Sequence, residues 1–176
     1  MKSKGVLILL AVVCVAAAAQ AQEKVTGTSS CDKPDVHHAV DIGDRANHSY
    51  VLDQVKCQWS QAMEMEGAKA TDYEVWASSE FSGNMSRDRG YVAGNMDNGD
   101  KFFLRYEGKT VFRDGVPQAA EGTWTYTGGT GKLKGLKGSG TFKGKPGADG
   151  NLVFEVEGDY ELVPPPPPKK APAKKG

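Results

Sequence analysis

The chain has 176 residues, with 22 lysines and arginines balanced by 22 aspartates and glutamates, and 22 glycines. That length suits a leader followed by one domain. A formal charge of zero removes the basic footprint on which nucleic-acid binding rests, so no nucleic-acid partner is expected.

Lys2 and Lys4 form a short positive start, Gly5 to Ala19 carries no charge, and Ala19-Gln20-Ala21 is a small-x-small cleavage site. This is the layout of a secretory signal peptide. Fifteen residues at about 1.5 Å each reach roughly 22 Å, short of a hydrocarbon core of about 30 Å, which argues against a transmembrane helix. Residues 1–21 are therefore read as a signal peptide, and the mature protein as secreted or periplasmic. Cys14 lies within this leader, and an acylated N-terminus there is disfavoured because Val13 stands where Gly or Ala is expected. Cleavage takes the formal charge to −2, and setting aside the lysines of the C-terminal tail leaves the folded part near −6.

The mature chain keeps Cys31 and Cys57, an even pair in an oxidising compartment, which reads as one disulfide. A Cys/His metal site with His37, His38 or His48 lacks any C-x-x-C or H-x-x-x-H spacing. No metal and no other cofactor is expected. The histidines lie near Asp35, Asp41 and Asp44, so a His–Asp pair is available, but no nucleophile motif accompanies it. Adjacent His37 and His38 would point to opposite faces of a strand. No catalytic residue is assigned, and a surface or loop role is expected for the histidines.

From Val36 onward the pattern has a period of two. In Tyr50–Trp59 one face carries Val51, Val55, Cys57 and Trp59 together with Asp53, the one strand residue placed to put a polar group inside. Glu64 and Glu66 share a face if that segment is extended. Residues 101–107 set Phe102, Leu104 and Tyr106 against Arg105 and Glu107, with Phe103 breaking the alternation. Trp124 and Tyr126 share a face opposite threonines. In Leu152–Leu162, Phe154, Val156, Gly158, Tyr160 and Leu162 alternate with four acids, the mark of a strand with one buried and one wet face.

Asp97-Asn98-Gly99-Asp100, Asp114-Gly115-Val116-Pro117 and Asp149-Gly150-Asn151 read as turns. Residues 122–158 hold 11 of the 22 glycines, which fits the bends of a small barrel. The expected fold is all-β, a single antiparallel eight-stranded calycin-like barrel over residues 22–163. Residues 164–176 open with five prolines and end in Lys-Lys-Ala-Pro-Ala-Lys-Lys-Gly, a disordered, extended tail.

Gly128-Gly129-Thr130-Gly131-Lys132 fails the phosphate-loop pattern, because Leu133 stands where a hydroxyl must reach magnesium. It reads as a turn. Lys132, Lys134, Lys137, Lys143 and Lys145 form a basic run, either the solvated face of a hairpin or an attraction for an anionic surface.

The stretch from Glu121 to Phe142, with Gly128, Gly129, Thr130, Gly131, Leu133, Gly135 and Gly138, resembles the allene-oxide-cyclase/dirigent type of β-barrel. The chain looks most like small secreted bacterial proteins of that type. The resemblance implies an eight-stranded, often oligomeric barrel whose apolar interior holds a lipophilic or phenolic ligand. The family's catalytic residues find no match here, so activity does not carry over. The expected function is therefore binding of a small apolar ligand inside the barrel, with Trp59, Trp124, Tyr126, Phe154 and Asp53 as candidates for the wall. One alternative is a cyclase or isomerase of the same barrel type. The other is a cell-envelope protein whose tail, through Lys169, Lys170, Lys174 and Lys175, meets an anionic surface.

Overall fold

The computed structural model describes residues 22–148 and 151–164. The expected signal peptide, the Asp149-Gly150 turn and the tail lysines Lys169, Lys170, Lys174 and Lys175 lie outside the described residues. The described chain forms ten strands: β1 (Glu23–Cys31), β2 (Val36–Asp41), β3 (His48–Gln61), β4 (Glu64–Met65), β5 (Ala68–Ser82), β6 (Met85–Met96), β7 (Lys101–Arg113), β8 (Val116–Gly129), β9 (Leu136–Pro146) and β10 (Leu152–Leu162). One 3-10 turn, Gly131–Leu133, joins β8 to β9.

Eight of these strands close an antiparallel barrel, in the order β3-β1-β10-β9-β8-β7-β6-β5, with β5 returning to β3. Paired residues followed around the wall from Trp59 of β3 return to β3 at Ser49, so the strands are staggered and tilted. Tight turns do the joining. Asp114 and Gly115 both take positive φ, the two-residue hairpin geometry that suits twisted strands. Glu66 and Gly67 do the same. Glu66 therefore sits in a turn and does not share an extended face with Glu64.

β1 and β2 divide one edge of β3 between them. β1 pairs with β3 from Cys31↔Cys57 downward, and β2 takes over from Val36↔Gln54 upward. The Cys31–Cys57 disulfide stands at that handover. The opposite edge of β2 pairs with no strand among the described residues.

The interior is built from large rings set against glycines. Trp124 lies directly across from Gly140, and Phe142 across from Gly122. A Cβ on Gly140 would come within 2.4 Å of the Trp124 indole, and one on Gly122 within 2.6 Å of the Phe142 ring. Phe102 covers Gly94, Tyr106 covers Gly90 and Phe154 covers Gly144 in the same manner. The lower end is packed solid by Met63, Met65, Phe102, Tyr126, Leu133, Leu136 and Tyr160, all buried.

Two measurements test this architecture. Replacing both Cys31 and Cys57 by alanine is expected to lower the unfolding free energy in urea by about 3 kcal/mol, from the freed 26-residue separation. Equal midpoints would deny the disulfide any structural share. A methyl on Gly140 would also fall 2.0 Å from the Glu157 carbonyl oxygen, so Gly140→Ala is expected to cost roughly 1–3 kcal/mol by overpacking. Calorimetry showing an unchanged Tm would contradict the ring-on-glycine account.

Candidate functional site

Above the packed floor the barrel is hollow. The cavity has a volume of about 690 Å³, within the range of small-molecule sites. Its walls are mainly apolar: Val55, Val75, Ala77, Phe81, Val92, Leu104, Phe112, Phe142 and Val156. The space exists because β5 and β6 contribute small side chains, Ala77, Ser79 and Ser86, at positions that could have carried large ones. The rings opposite interlock edge-on, with centroids 6.0 Å apart for Tyr106–Phe142 and 6.1 Å for Phe142–Phe154.

A few polar groups converge on this apolar space. Asp53 of β3 faces inward and its carboxylate meets Nδ1 of His37, on β2, at 2.7 Å. The His37 side chain is 59% exposed and that of Asp53 only 21%, so the pair runs from the rim inward. Asp88 of β6 accepts a hydrogen bond from the Thr110 hydroxyl at 2.8 Å. Ser86, two residues before Asp88 on the same face, is 1% exposed and its hydroxyl has no partner among the described residues. The Tyr106 phenol is held in its neutral form, because burial and then the nearby carboxylates of Asp88 and Asp53 raise its pKa. Tyr73 is pushed up to about 12 by burial, with its bond to Ser29 pulling the other way. Its hydroxyl meets the Ser29 hydroxyl at 2.7 Å.

The wall candidates divide between two levels. Asp53, Trp124 and Phe154 line the cavity. Trp124 donates its indole N–H to the Thr141 carbonyl at 3.1 Å. Trp59 and Tyr126 belong to the packing below. Trp59 stacks on Tyr73 with centroids 5.0 Å apart and presses on Gly27. The Tyr126 hydroxyl donates to Sδ of Met65 at 3.4 Å. His37 and His38 point to opposite faces, His37 across from Asp53 and His38 across from Leu52. The sequence reading passed over Ser79, Ser86, Asp88 and Thr110. Strands β5 and β6 mix polar residues on both faces, so no alternation marks them. Among the described residues, no three His, Cys, Asp or Glu side chains gather around a metal position.

The Gly128–Lys132 segment is a structural turn. Its Lys132 amide donates to the Asp100 carboxylate at 3.1 Å, and the Thr130 hydroxyl accepts from the Lys101 amide at 2.8 Å. The lysines of β9 stand beside acids. Lys143 is opposite Glu121 on β8 and Glu155 on β10, and Lys145 reaches Glu155 at 3.2 Å. An open depression of about 950 Å³ on the outer wall is lined by charges of both signs. Several of these are engaged with each other: Lys109 with Glu121 at 2.9 Å, and Arg89 with the Tyr50 hydroxyl at 2.8 Å.

The fold and its hollow upper half define a small closed antiparallel β-barrel protein. It is similar to a solved protein of unknown function of the DUF3224 family from Shewanella oneidensis MR-1. The TM-score is 0.51 at 16% identity, covering 82% of this chain and 100% of that one. At that identity the likeness shows the barrel fold alone. No protein-family model matches the chain, and no curated protein matches it. The eight-stranded barrel expected from the sequence is thus found, whereas membership of the allene-oxide-cyclase/dirigent family is not shown.

A second histidine cluster lies outside the cavity. His48, 7% exposed, bonds Asp44 through Nδ1 and Glu80 through Nε2, the latter at 3.1 Å. Hydrogen bonds to Asp44 and then Glu80 raise its pKa, and the same bond lowers that of Asp44. The His48 contribution is full below the unfolded value of about 6.5 and lost as pH climbs through the higher folded value. That of Asp44 is present above about 3.8 and lost as pH falls through its depressed folded value. The Tm advantage of the native protein over His48→Gln should therefore peak near pH 5–6 and shrink toward pH 9. A gap that stays constant across that range would remove the charged pair from the account.

Proposed function

We propose that this protein is an exported β-barrel that takes a small, largely apolar molecule into its upper cavity. The observation that carries the reading is the cavity of about 690 Å³ in a barrel whose lower half is packed solid. Apolar walls with a few converging polar groups are the usual composition of a small-molecule site. Export is supported by the leader-like residues 1–21, and the Cys31–Cys57 disulfide is compatible with an oxidising compartment. The turn around Gly128–Gly138 adds its similarity to lipophile-holding barrels of the allene-oxide-cyclase/dirigent type.

The His37–Asp53 pair favours one second reading, an isomerase or cyclase in which Asp53 orients His37 as a general base at the cavity mouth. Asp53→Asn would then slow conversion of a captured ligand while leaving its capture intact.

The binding reading is tested by intact mass spectrometry of the mature protein from its native envelope, followed by thermal shift with the released compound. The expected result is added mass under native conditions that leaves on denaturation, and a Tm raised by that compound. Ala77→Phe, which sends a ring into the cavity, should remove the shift. A bare chain whose Tm responds to no lipophile would sink the proposal.

A further inference from the structure

Carboxylates outnumber bases on the cavity lining, where His37 is the one basic side chain among the described residues. Asp53 and Asp88 face it from β3 and β6, and Asp32 stands at its edge. No lysine or arginine lines it among the described residues. Asp88 holds only the neutral Thr110 hydroxyl, and Asp53 holds His37 through one carboxylate oxygen. Both carboxylates are half-buried, and a cation placed beside them gains more there than it would in open water.

The registers leave room for such a cation. Asp53 is opposite Ala77 on β5, and Asp88 is opposite Ser79 on the same strand. The strand between the two carboxylates therefore carries only a methyl and a hydroxymethyl where it faces the cavity. Next to Asp88 is the buried Ser86 hydroxyl, which has no hydrogen-bond partner among the described residues. The faces of Tyr106, Phe142 and Trp124 complete the enclosure, and aromatic faces attract cations as well as apolar bodies.

We infer that the ligand is a lipophilic cation, an aromatic or alicyclic body bearing a protonated amine, with its ammonium group held by Asp88 and Asp53 and its body against the rings of β7–β10. This rests on the binding reading and narrows its ligand class. A hydrogen bond between charged partners is worth about 1.5–3 kcal/mol, or roughly tenfold or more in affinity.

Calorimetric titration of the mature full chain at pH 7 with three probes of one shape tests it: 1-naphthylmethylamine, 1-naphthalenemethanol and 1-naphthaleneacetate. The amine is expected to bind about tenfold tighter than the alcohol, with the acid weakest. Asp88→Asn and Asp53→Asn should each shrink the amine's advantage over the alcohol, and the two together should remove it. If the alcohol or the acid binds as tightly as the amine, the cation inference falls while the binding reading stands. If none of the three binds, the binding reading falls with it. A preference for amine that survives both Asp88→Asn and Asp53→Asn, or the cavity-filling Ala77→Phe, would place the cation outside the cavity and overturn the assignment. The three-probe comparison on the native protein decides the matter even where a variant fails to fold.

Discussion

Trp124 can lie along the inner wall because the next two strands around the barrel, β9 and β10, carry Gly140 and Gly158 at the positions its indole crosses. Phe142 rests in the same way on Gly108 and Gly122. A ring that spreads along the wall fills less of the barrel's middle than one that projects inward. Below Trp124 the middle is filled from other directions. Leu133 enters from the turn between β8 and β9, Met63 and Met65 from the chain around β4, and Phe102 meets Tyr126 edge-on at 6.0 Å. Above Trp124 no comparable plug enters, and Ala77, Ser79, Ser86 and Ala120 leave the volume open. The cavity is thus a consequence of where the glycines and small residues stand, layer by layer.

The outer face obeys a simpler rule. Along β8 to β10 a run of lysines on the middle strand lies beside acids on its neighbours. The acids of β10 face lysines of β9 at Glu155↔Lys143 and Glu161↔Lys137, and hydroxyls at Glu157↔Thr141 and Asp159↔Ser139. Three lysines of the basic run, Lys137, Lys143 and Lys145, are therefore half of a cross-strand ladder. Such exposed pairs contribute little stability each, but they penalise a slipped register that would set like charges opposite. They also keep the outside wet while the same strands carry Phe142, Phe154 and Val156 inward.

Wherever one face of a strand is apolar and the other charged, the sequence was legible. Leu152–Leu162 and Gly122–Thr127 show their inward residues by alternation, and Asp97–Asp100 and Asp114–Pro117 show their turns by glycine at positive φ. The disulfide followed from the two cysteines, of three, that lie outside the leader-like segment. What stayed hidden was the polar part of the interior. Asp88, in Ser-Arg-Asp-Arg-Gly, gives no sign of its inward placement because its inward neighbours Ser86 and Gly90 are not apolar either. Gly90 and Gly94 look like breaks, yet they are seats for Tyr106 and Phe102. Periodicity detects burial only through hydrophobicity, so a site made of buried polar groups and small residues removes its own signal. Trp59 and Tyr126 illustrate the complement. Their apolar face was legible, but the level at which each sits depends on barrel stagger, which no single strand encodes.

The same stagger explains why the mouth opens where it does. β10 ends upward at Leu152, in its hairpin with Pro146, one step beyond the Ser30↔Val153 pair. A straight continuation of β1 would therefore have left β10 behind and kept only β3 as a neighbour. The chain instead bends through Asp32–Asp35 while staying bonded to β3, through Asp32 N–H to the Lys56 carbonyl at 2.8 Å and Asp35 N–H to that of Gln54 at 2.9 Å. Pro34, lacking an amide hydrogen, falls between these two donors, where no ladder bond is lost. The disulfide at Cys31 anchors the start of the bend, and β2 then carries His37 into register with Asp53. One side of the mouth is thus β2 laid on the edge of β3, whose other edge is bonded to β5, and the outer edge of β2 pairs with no strand among the described residues. The position of the His37–Asp53 pair depends on that single ladder and on the cross-link beneath it, so the covalent bond that stabilises the fold also sets the geometry of the cavity's rim.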